Sequence, residues 1–235
     1  MNILAIDTST SFASIAVAID EHIAAESLVN TDRTLSARLV PEIERLLATA
    51  GLSITDIDVF ASSVGPGSFT GVRGGVATMQ GLALASGKPC AGFSSLAMLA
   101  MNFSLSATLV CPLLDARKSE VYGALYDCSS TLPVPLITDC VLPPAALLDQ
   151  IAALTSERVI FLGEGTRRYR DQIAERLADR AIFAPFPLHA PHAANGALLA
   201  LNTARHNQLL DPSQLLPVYL RASDAEINRD SKKLR

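Results

Sequence analysis

The chain has 235 residues, enough for one large domain or two smaller lobes that each bury a core. Hydrophobic residues make up 49% of it and charged residues 18%, which excludes an intrinsically disordered chain. Its 19 basic and 23 acidic residues give a net charge of −4, without the basic surplus typical of a protein that binds nucleic acid alone.

The first predicted element is an antiparallel three-stranded sheet. Its β-rich runs, separated by short polar turns, lie at 2–6, 13–19 and 23–28. Asp7 ends the first run, and small hydroxyl residues follow it. In actin-like and sugar-kinase-like folds an Asp at this place contacts a metal–phosphate, although an Asp that closes its own turn gives the same pattern. We favour the structural role and keep Asp7, Ser9 and Thr10 as candidate phosphate contacts.

A helix is predicted over 33–50, where apolar residues recur at spacings of three and four. Pro41 lies inside this pattern and removes a backbone hydrogen bond, so we expect a bend or a late helix start. After a strand at 58–64, the loop GPGSFTGVR begins. Gly65 and Gly67 allow close backbone approach to an anion, but no Lys-Ser/Thr pair of a P-loop follows, so we favour a fixed turn.

The helix after this loop is the most informative element. Ser68 is a good N-cap and Gly87 a natural stop, which predicts a helix that ends near Ser86. Residues 74–87 carry no charge. A helix that covers one lobe normally keeps a charged face toward water, so this one is either a central core helix or a protein interface. We favour the interface. The predicted partner-facing residues are Leu35, Leu39, Ile43, Ser68, Phe69, Thr70, Arg73, Gly74, Thr78, Gly81 and Ala85.

The opening pattern returns in the second half of the chain. A strand that ends in Asp115, a polar turn and a further strand cover 108–126, which predicts an internal duplication. Four prolines at 133–144 indicate loops there. The other predicted elements are strands at 90–93 and 159–162 and helices at 95–102, 167–180 and 193–207.

The elements together predict an α/β chain with three parts. They are a first lobe with the partner interface at 1–104, a smaller second lobe at 105–212, and a C-terminal segment at 213–235. We expect that segment to lie back on the first lobe and to end in a mobile tail.

No catalytic constellation is visible. Pro191 separates His189 from His192, and no acidic or thiol side chain is near them in sequence, so neither is predicted to bind a metal. The four cysteines lie in or beside apolar stretches and are predicted to be small buried hydrophobes. We therefore predict no catalytic residue, no cofactor and no metal. Without an export signal or a membrane span, the predicted compartment is the cytoplasm.

Five segments resemble the TsaB (YeaZ) family in order and spacing across nearly the whole chain. They are ILAIDTST at 3–10, RTLS at 33–36, GPGSFTGVR at 65–73, LDARKSEVY at 114–122 and LPVYLR at 216–221. One departure is Leu35, where many members of the family have His. The resemblance implies a two-lobed, actin-like fold (the ASKHA class) made of duplicated ribonuclease-H-like lobes.

The resemblance also implies a place in the machinery that puts threonylcarbamoyl on N6 of adenosine 37 in tRNAs reading ANN codons. In that family the catalytic step belongs to a partner, TsaD, and an ATPase, TsaE, joins the complex. The chain would be a non-enzymatic subunit that pairs with TsaD through helices of the first lobe. It would form a homodimer alone, and it would meet tRNA only through the complex. Two other functions stay open on the residues alone, a metal-dependent peptidase and an ATP-hydrolysing, sugar-kinase-like enzyme.

Overall fold

The first sheet is built from two hairpins and two parallel strands. The computed structural model describes residues 1–30 and 35–221, and it leaves the side chains of residues 35–37 undescribed. The strands are β1 (Asn2–Asp7), β2 (Phe12–Ile19), β3 (His22–Asn30), β4 (Val59–Gly65) and β5 (Cys90–Ser94), in the order β3-β2-β1-β4-β5. β1, β2 and β3 pair antiparallel, as predicted, while β4 and β5 extend the sheet in parallel from β1.

Helices α1 (Leu35–Thr49), α2 (Phe69–Ser86) and α3 (Ser95–Ala100) belong to this half of the chain. α1 runs through Pro41, and the predicted helix start at residue 33 lies outside the described residues. Both ends of α2 match the prediction. The Gly71 N–H donates to the Ser68 hydroxyl at 3.3 Å, and Gly87 ends the helix in a left-handed conformation with φ 65°.

The second sheet repeats the first. Its strands are β6 (Leu109–Arg117), β7 (Glu120–Asp127), β8 (Val134–Leu142), β9 (Val159–Leu162) and β10 (Ala181–Phe183), in the order β10-β9-β6-β7-β8. Read from the other edge, this order and the strand directions are those of the first sheet. The predicted duplication and the predicted two-lobed, actin-like α/β class are confirmed.

The predicted loops around residues 133–144 are correct at Pro133 and Pro143 and wrong between and after them. The structure has strand β8 there, followed by helix α4 (Pro144–Leu154). β8 is an edge strand, where a proline such as Pro135 need not donate to a neighbouring strand. Pro144 is the first residue of α4, where a backbone N–H would have no acceptor within the helix, so its absence costs no hydrogen bond.

The remaining helices are α5 (Glu164–Arg168), α6 (Arg170–Leu177) and α7 (Ala193–Arg205). Although α7 falls inside the predicted second lobe, it packs on the first sheet, where Ala197, Ala200 and Leu201 join the core of β1, β4 and β5. The boundaries at residues 104 and 212 stay a prediction.

The chain after α7 also returns to the first sheet. Leu215 is fully buried in the core beneath α1 and α2, and the Val218 N–H donates to the Val64 carbonyl at 2.8 Å. The predicted tail, 222–235, lies outside the described residues. In the part of the chain that is described, no helix is long and apolar enough to cross a bilayer.

Candidate partner interface and interlobe cleft

One face of α2 is exposed and almost without charge. The inner face of the helix is the predicted apolar line of Val72, Val76, Met79 and Ala83, all buried in the first core. Of the predicted partner-facing residues on and next to α2, two are half-buried, Gly74 and Thr78. The exposed ones are Ser68, Phe69, Thr70, Arg73, Gly81 and Ala85.

The α1 part of the predicted interface needs correction. Leu39 and Ile43 are 3% and 1% exposed and belong to the first core, so they face their own sheet and not a partner. The side chain of Leu35 lies outside the described residues. The periodic apolar positions of α1 are the ones that cover the sheet, which is the ordinary use of such a stripe.

Two exposed apolar side chains on the described parts of α1 and α2 were not predicted from the sequence. Leu84 on α2 is 60% exposed and Val40 on α1 is 42% exposed. Leu84 follows Arg73, Ala77 and Gly81 at helical spacing, so the same periodicity that found the inner line could have found it. The exposed face of α2 therefore carries Leu84 beside small residues, and Arg73 is the single charged residue of the helix.

An aromatic–cation cluster lies at the start of this face. The Arg73 guanidinium lies over the Phe69 ring, 3.9 Å from its centroid, and the Arg73 Nε donates to the Tyr219 hydroxyl at 2.6 Å. The rings of Phe69 and Tyr219 have centroids 5.2 Å apart. Tyr219 comes from the segment after α7, so this segment holds the side chain of Arg73 in one place.

The candidate phosphate contacts of the first lobe are largely closed off. Asp7 is fully buried and Ser9 is 2% exposed. Burial raises the pKa of Asp7, and the Ser9 N–H, which donates to the carboxylate at 3.3 Å, offsets this only in part. Neither side chain is open to a phosphate in this structure, while Thr10 and Gly67 lie in the cleft wall described below.

The first turn of α2 covers this site. The Ser68 N–H donates to the Ser9 carbonyl at 2.7 Å, and the Thr8 hydroxyl donates to the Gly71 carbonyl at 2.7 Å. A Cβ at Gly67 would overlap the Ser9 carbonyl. Gly65, which is buried, has φ 111°, and a Cβ there would lie 3.0 Å from the Val218 carbonyl oxygen. The glycines therefore let α2 approach the β1–β2 turn, which is the fixed-turn role that we favoured.

A cleft of about 480 Å³ lies between the two sheets. Thr10, Gly67, Asp115, Arg117, Glu164 and Arg221 are among its lining residues. The Asp115 carboxylate, the second-lobe counterpart of Asp7, accepts from Arg168 at 2.8 Å. The pKa of Glu164 is raised, chiefly because its side chain is partly buried and secondly because the Asp115 carboxylate is close to it. An anion in this cleft would therefore meet two carboxylates as well as the arginines.

The cysteines and His189 have surroundings that fit structural roles. Three cysteines are buried, as predicted, whereas Cys140 is only half-buried, and burial raises the pKa of Cys90 to about 11. The two ring nitrogens of His189 lie within 3.1 Å of backbone carbonyls of Gly163 and Ala184. Across residues 1–30 and 35–221, no three His, Cys, Asp or Glu side chains come together as a metal site.

The duplicated five-stranded sheets with a cleft between them define an actin-like, two-lobed α/β protein. The ROK hexokinase of Thermus thermophilus has the same fold, with a TM-score of 0.51 and 12% identity over 86% of this chain and all of that one. YeaZ from Pseudomonas aeruginosa is far more similar, with a TM-score of 0.82 and 31% identity over 93% of this chain and 99% of that one.

Sequence comparison narrows the class to a family. A family model described as TsaD, tRNA N6-adenosine threonylcarbamoyltransferase, matches residues 23–229. The tRNA threonylcarbamoyladenosine biosynthesis protein TsaB of Escherichia coli is 34% identical over 94% of this chain and 95% of its own length. The TsaB protein of Bacillus subtilis is 30% identical over 96% of both chains. The chain belongs to the TsaB (YeaZ) family.

Proposed function

We propose that this chain is a cytoplasmic, non-catalytic subunit in the biosynthesis of threonylcarbamoyladenosine at position 37 of tRNAs reading ANN codons. It pairs with a TsaD-like transferase and activates it, and a TsaE-like ATPase joins the pair. It contacts tRNA only through this complex and forms a homodimer when alone. The names of its relatives, at 30–34% identity over almost the whole chain, support the pathway.

The observation that carries the proposal is the exposed face of α2. An exposed helix that covers only its own lobe would carry charges toward water, but this face has one charged residue, Arg73. Leu84 is 60% exposed and Phe69 is 40% exposed, and a Cβ added at Gly81, three residues before Leu84, would have no atom within 4 Å. An apolar surface with a small residue beside Leu84 suits a second helix at close range.

The non-catalytic role rests on the residues of the cleft. Asp7 is buried beneath the first turn of α2, and Asp115 is engaged by Arg168. A phosphate-transferring enzyme of this fold would need carboxylates that are free to hold a metal–phosphate. The sequence also lacks the H-x-x-x-H pair expected of the metal-binding relative. Among the described residues, no arrangement of side chains favours a kinase-like or peptidase-like activity.

The test is association with the TsaD-like protein of the same organism, measured by calorimetry and native mass spectrometry. We expect one-to-one binding by this chain, and threonylcarbamoyl transfer to tRNA that requires it together with the TsaE-like protein and ATP. Gly81→Arg places a long charged side chain on the exposed face and should weaken pairing at least about tenfold.

The matched control is Ala174→Arg, on the solvent-facing side of α6 in the other half of the chain. This variant should pair like the parent protein, and neither variant should lower the unfolding midpoint, since Gly81→Arg exchanges a glycine for a better helix former. Equal pairing by Gly81→Arg and Ala174→Arg would contradict the α2 interface. Full transfer activity in the absence of this chain would contradict the activating role.

A further inference from the structure

The turn between β6 and β7 is strained. Arg117, Lys118 and Ser119 follow one another with φ 63°, 51° and 60°, all in the left-handed region, and none of them is glycine. Left-handed backbone is unfavourable for each such residue, so a run of three persists only where the surrounding structure holds it. Arg117 also lines the interlobe cleft, so the conformation of this turn shapes one cleft wall.

Arg221 holds both ends of that turn. One terminal nitrogen of Arg221 donates to the Ala116 carbonyl at 2.9 Å, on the residue before the turn. The other donates to the Glu120 carboxylate at 2.7 Å, on the residue after it. A planar guanidinium that bridges two fixed acceptors is a rigid brace, because its donors cannot move independently.

The same short segment is fixed to the α2 face two residues earlier. Tyr219 accepts from Arg73 and lies against Phe69, and Val218 donates to Val64 in the first sheet. Residues 215–221 therefore run from the first core, past the exposed face of α2, to the strained turn in the second half of the chain. A single residue, Leu220, lies between Tyr219 at the α2 face and Arg221 at the turn.

We propose that residues 215–221 couple the exposed face of α2 to the conformation of the 117–119 turn in the cleft. Contacts that hold Phe69, Arg73 and Tyr219 together keep Arg221 in position, and Arg221 keeps the turn left-handed. Where these contacts loosen, the turn relaxes and the cleft wall changes. The coupling within the chain does not depend on the proposed function. Its use, which is to transmit partner contact at α2 to the cleft, rests on that function.

The test follows amide hydrogen exchange and backbone chemical shifts of residues 116–122 by NMR in the isolated, full-length chain. Arg221→Ala should raise exchange there about tenfold, since hydrogen bonds to a charged group are lost from a strained segment. Arg176→Ala is the matched control, because it removes an arginine that also pairs with a carboxylate in the second half of the chain, Asp149 at 2.7 Å. It should leave the turn unchanged.

Two further variants separate coupling from general loosening. Tyr219→Phe removes the Arg73 hydrogen bond at a distance from the turn and should raise exchange there about threefold. Adding Ser119→Gly to Arg221→Ala should return most of the lost protection, because glycine adopts the left-handed conformation without strain. The inference is overturned if Arg221→Ala or Tyr219→Phe leaves amide exchange of residues 116–122 unchanged. It is also overturned if Ser119→Gly fails to restore the protection lost in Arg221→Ala.

Pairing with the TsaD-like protein is measured on the same samples. If the parent chain does not pair while Tyr219→Phe still loosens the turn, the coupling holds and the proposed function fails. If the chain pairs but neither Arg221→Ala nor Tyr219→Phe moves the turn, the coupling fails and the proposed function holds.

Discussion

Asp7 is a buried carboxyl whose ionised form is disfavoured by its surroundings. Its pKa is raised above the ordinary 3.8, chiefly by burial. At pH values between the ordinary pKa and the raised pKa, the folded chain binds more protons than the unfolded chain. The free energy of unfolding therefore falls as pH rises through that window. Above the raised pKa, the folded state bears the full cost of a buried charge.

Asp7→Asn should remove this pH dependence. The amide has nearly the shape of the carboxyl and carries no charge, so we expect the variant to be more stable than the parent at pH 7. Urea unfolding at several pH values from 4 to 8 measures this. Asp149→Asn, at an exposed position, is the control and should keep the parent profile. A loss of stability at pH 7 in Asp7→Asn would show that the carboxylate is stabilised by its site.

Two adjacent glycines of α2 give opposite predictions. A Cβ at Gly75 would overlap the Thr8 hydroxyl, whereas a Cβ at Gly74 has no atom within 4 Å. Gly75→Ala should therefore lower the free energy of unfolding by about 1–3 kcal/mol through overpacking. Gly74→Ala should raise it by about 0.5–1 kcal/mol through helix propensity. Chemical denaturation of both variants measures the difference, and equal effects would mean that α2 does not pack tightly on the β1–β2 turn.

At the scale of the element, α1 and α2 each divide between core and surface. Leu39 on α1 is buried in the first core, and Leu84 on α2 is 60% exposed. Leu39→Ala should lower the free energy of unfolding by about 2–5 kcal/mol, because it leaves a cavity. Leu84→Ala should change it by less than about 0.5 kcal/mol.

The same two variants should reverse their order in the pairing assay. Leu84→Ala should weaken association with the TsaD-like protein, while Leu39→Ala should leave it unchanged as long as the variant is folded. Guanidinium unfolding and calorimetric titration give the two quantities. Strong destabilisation by Leu84→Ala, or an isolated pairing defect in Leu39→Ala, would contradict the faces described for these helices.

At the scale of the whole molecule, a hydrogen-bonded cluster joins the two sheets. The Asp139 carboxylate on β8 accepts from Ser94 at the end of β5, at 2.5 Å, and from the Tyr126 hydroxyl on β7, at 2.6 Å. The pKa of Tyr126 is raised, chiefly because the side chain is buried and secondly because the Asp139 carboxylate is close. The hydroxyl therefore remains a donor. The cluster therefore holds β5 against the second sheet.

Tyr126→Phe should weaken that connection. We expect a loss of about 1.5–3 kcal/mol in the free energy of unfolding, the usual contribution of a hydrogen bond to a charged group. Exchange of the β5 and β8 amides should increase at the same time. Tyr122→Phe, on the same strand, is the control and should change neither quantity by a comparable amount. If Tyr126→Phe behaves like Tyr122→Phe, the cluster does not connect the sheets.

Local signals in the sequence were sufficient for much of the fold. The β1–β2–β3 hairpins, the two ends of α2 at Ser68 and Gly87, and the Asp7–Asp115 repeat were all predicted and are all present. Each depends on residues close together in the chain, such as a cap, a turn or an alternating run. The prolines near β8 misled the same reasoning, because their effect depends on whether the strand lies at an edge.

By itself, the sequence determined the α/β class, the duplication and an uncharged helix that needs a partner or a core. Only the tertiary structure decided which residues of α1 and α2 are exposed, since the same periodicity that marks Leu39 and Ile43 as apolar cannot say which surface they cover. It also decided that Asp7 is closed off and that α7 and residues 215–219 lie on the first sheet. The reason is physical, because burial and docking depend on contacts between residues far apart in the chain, which composition and spacing do not contain.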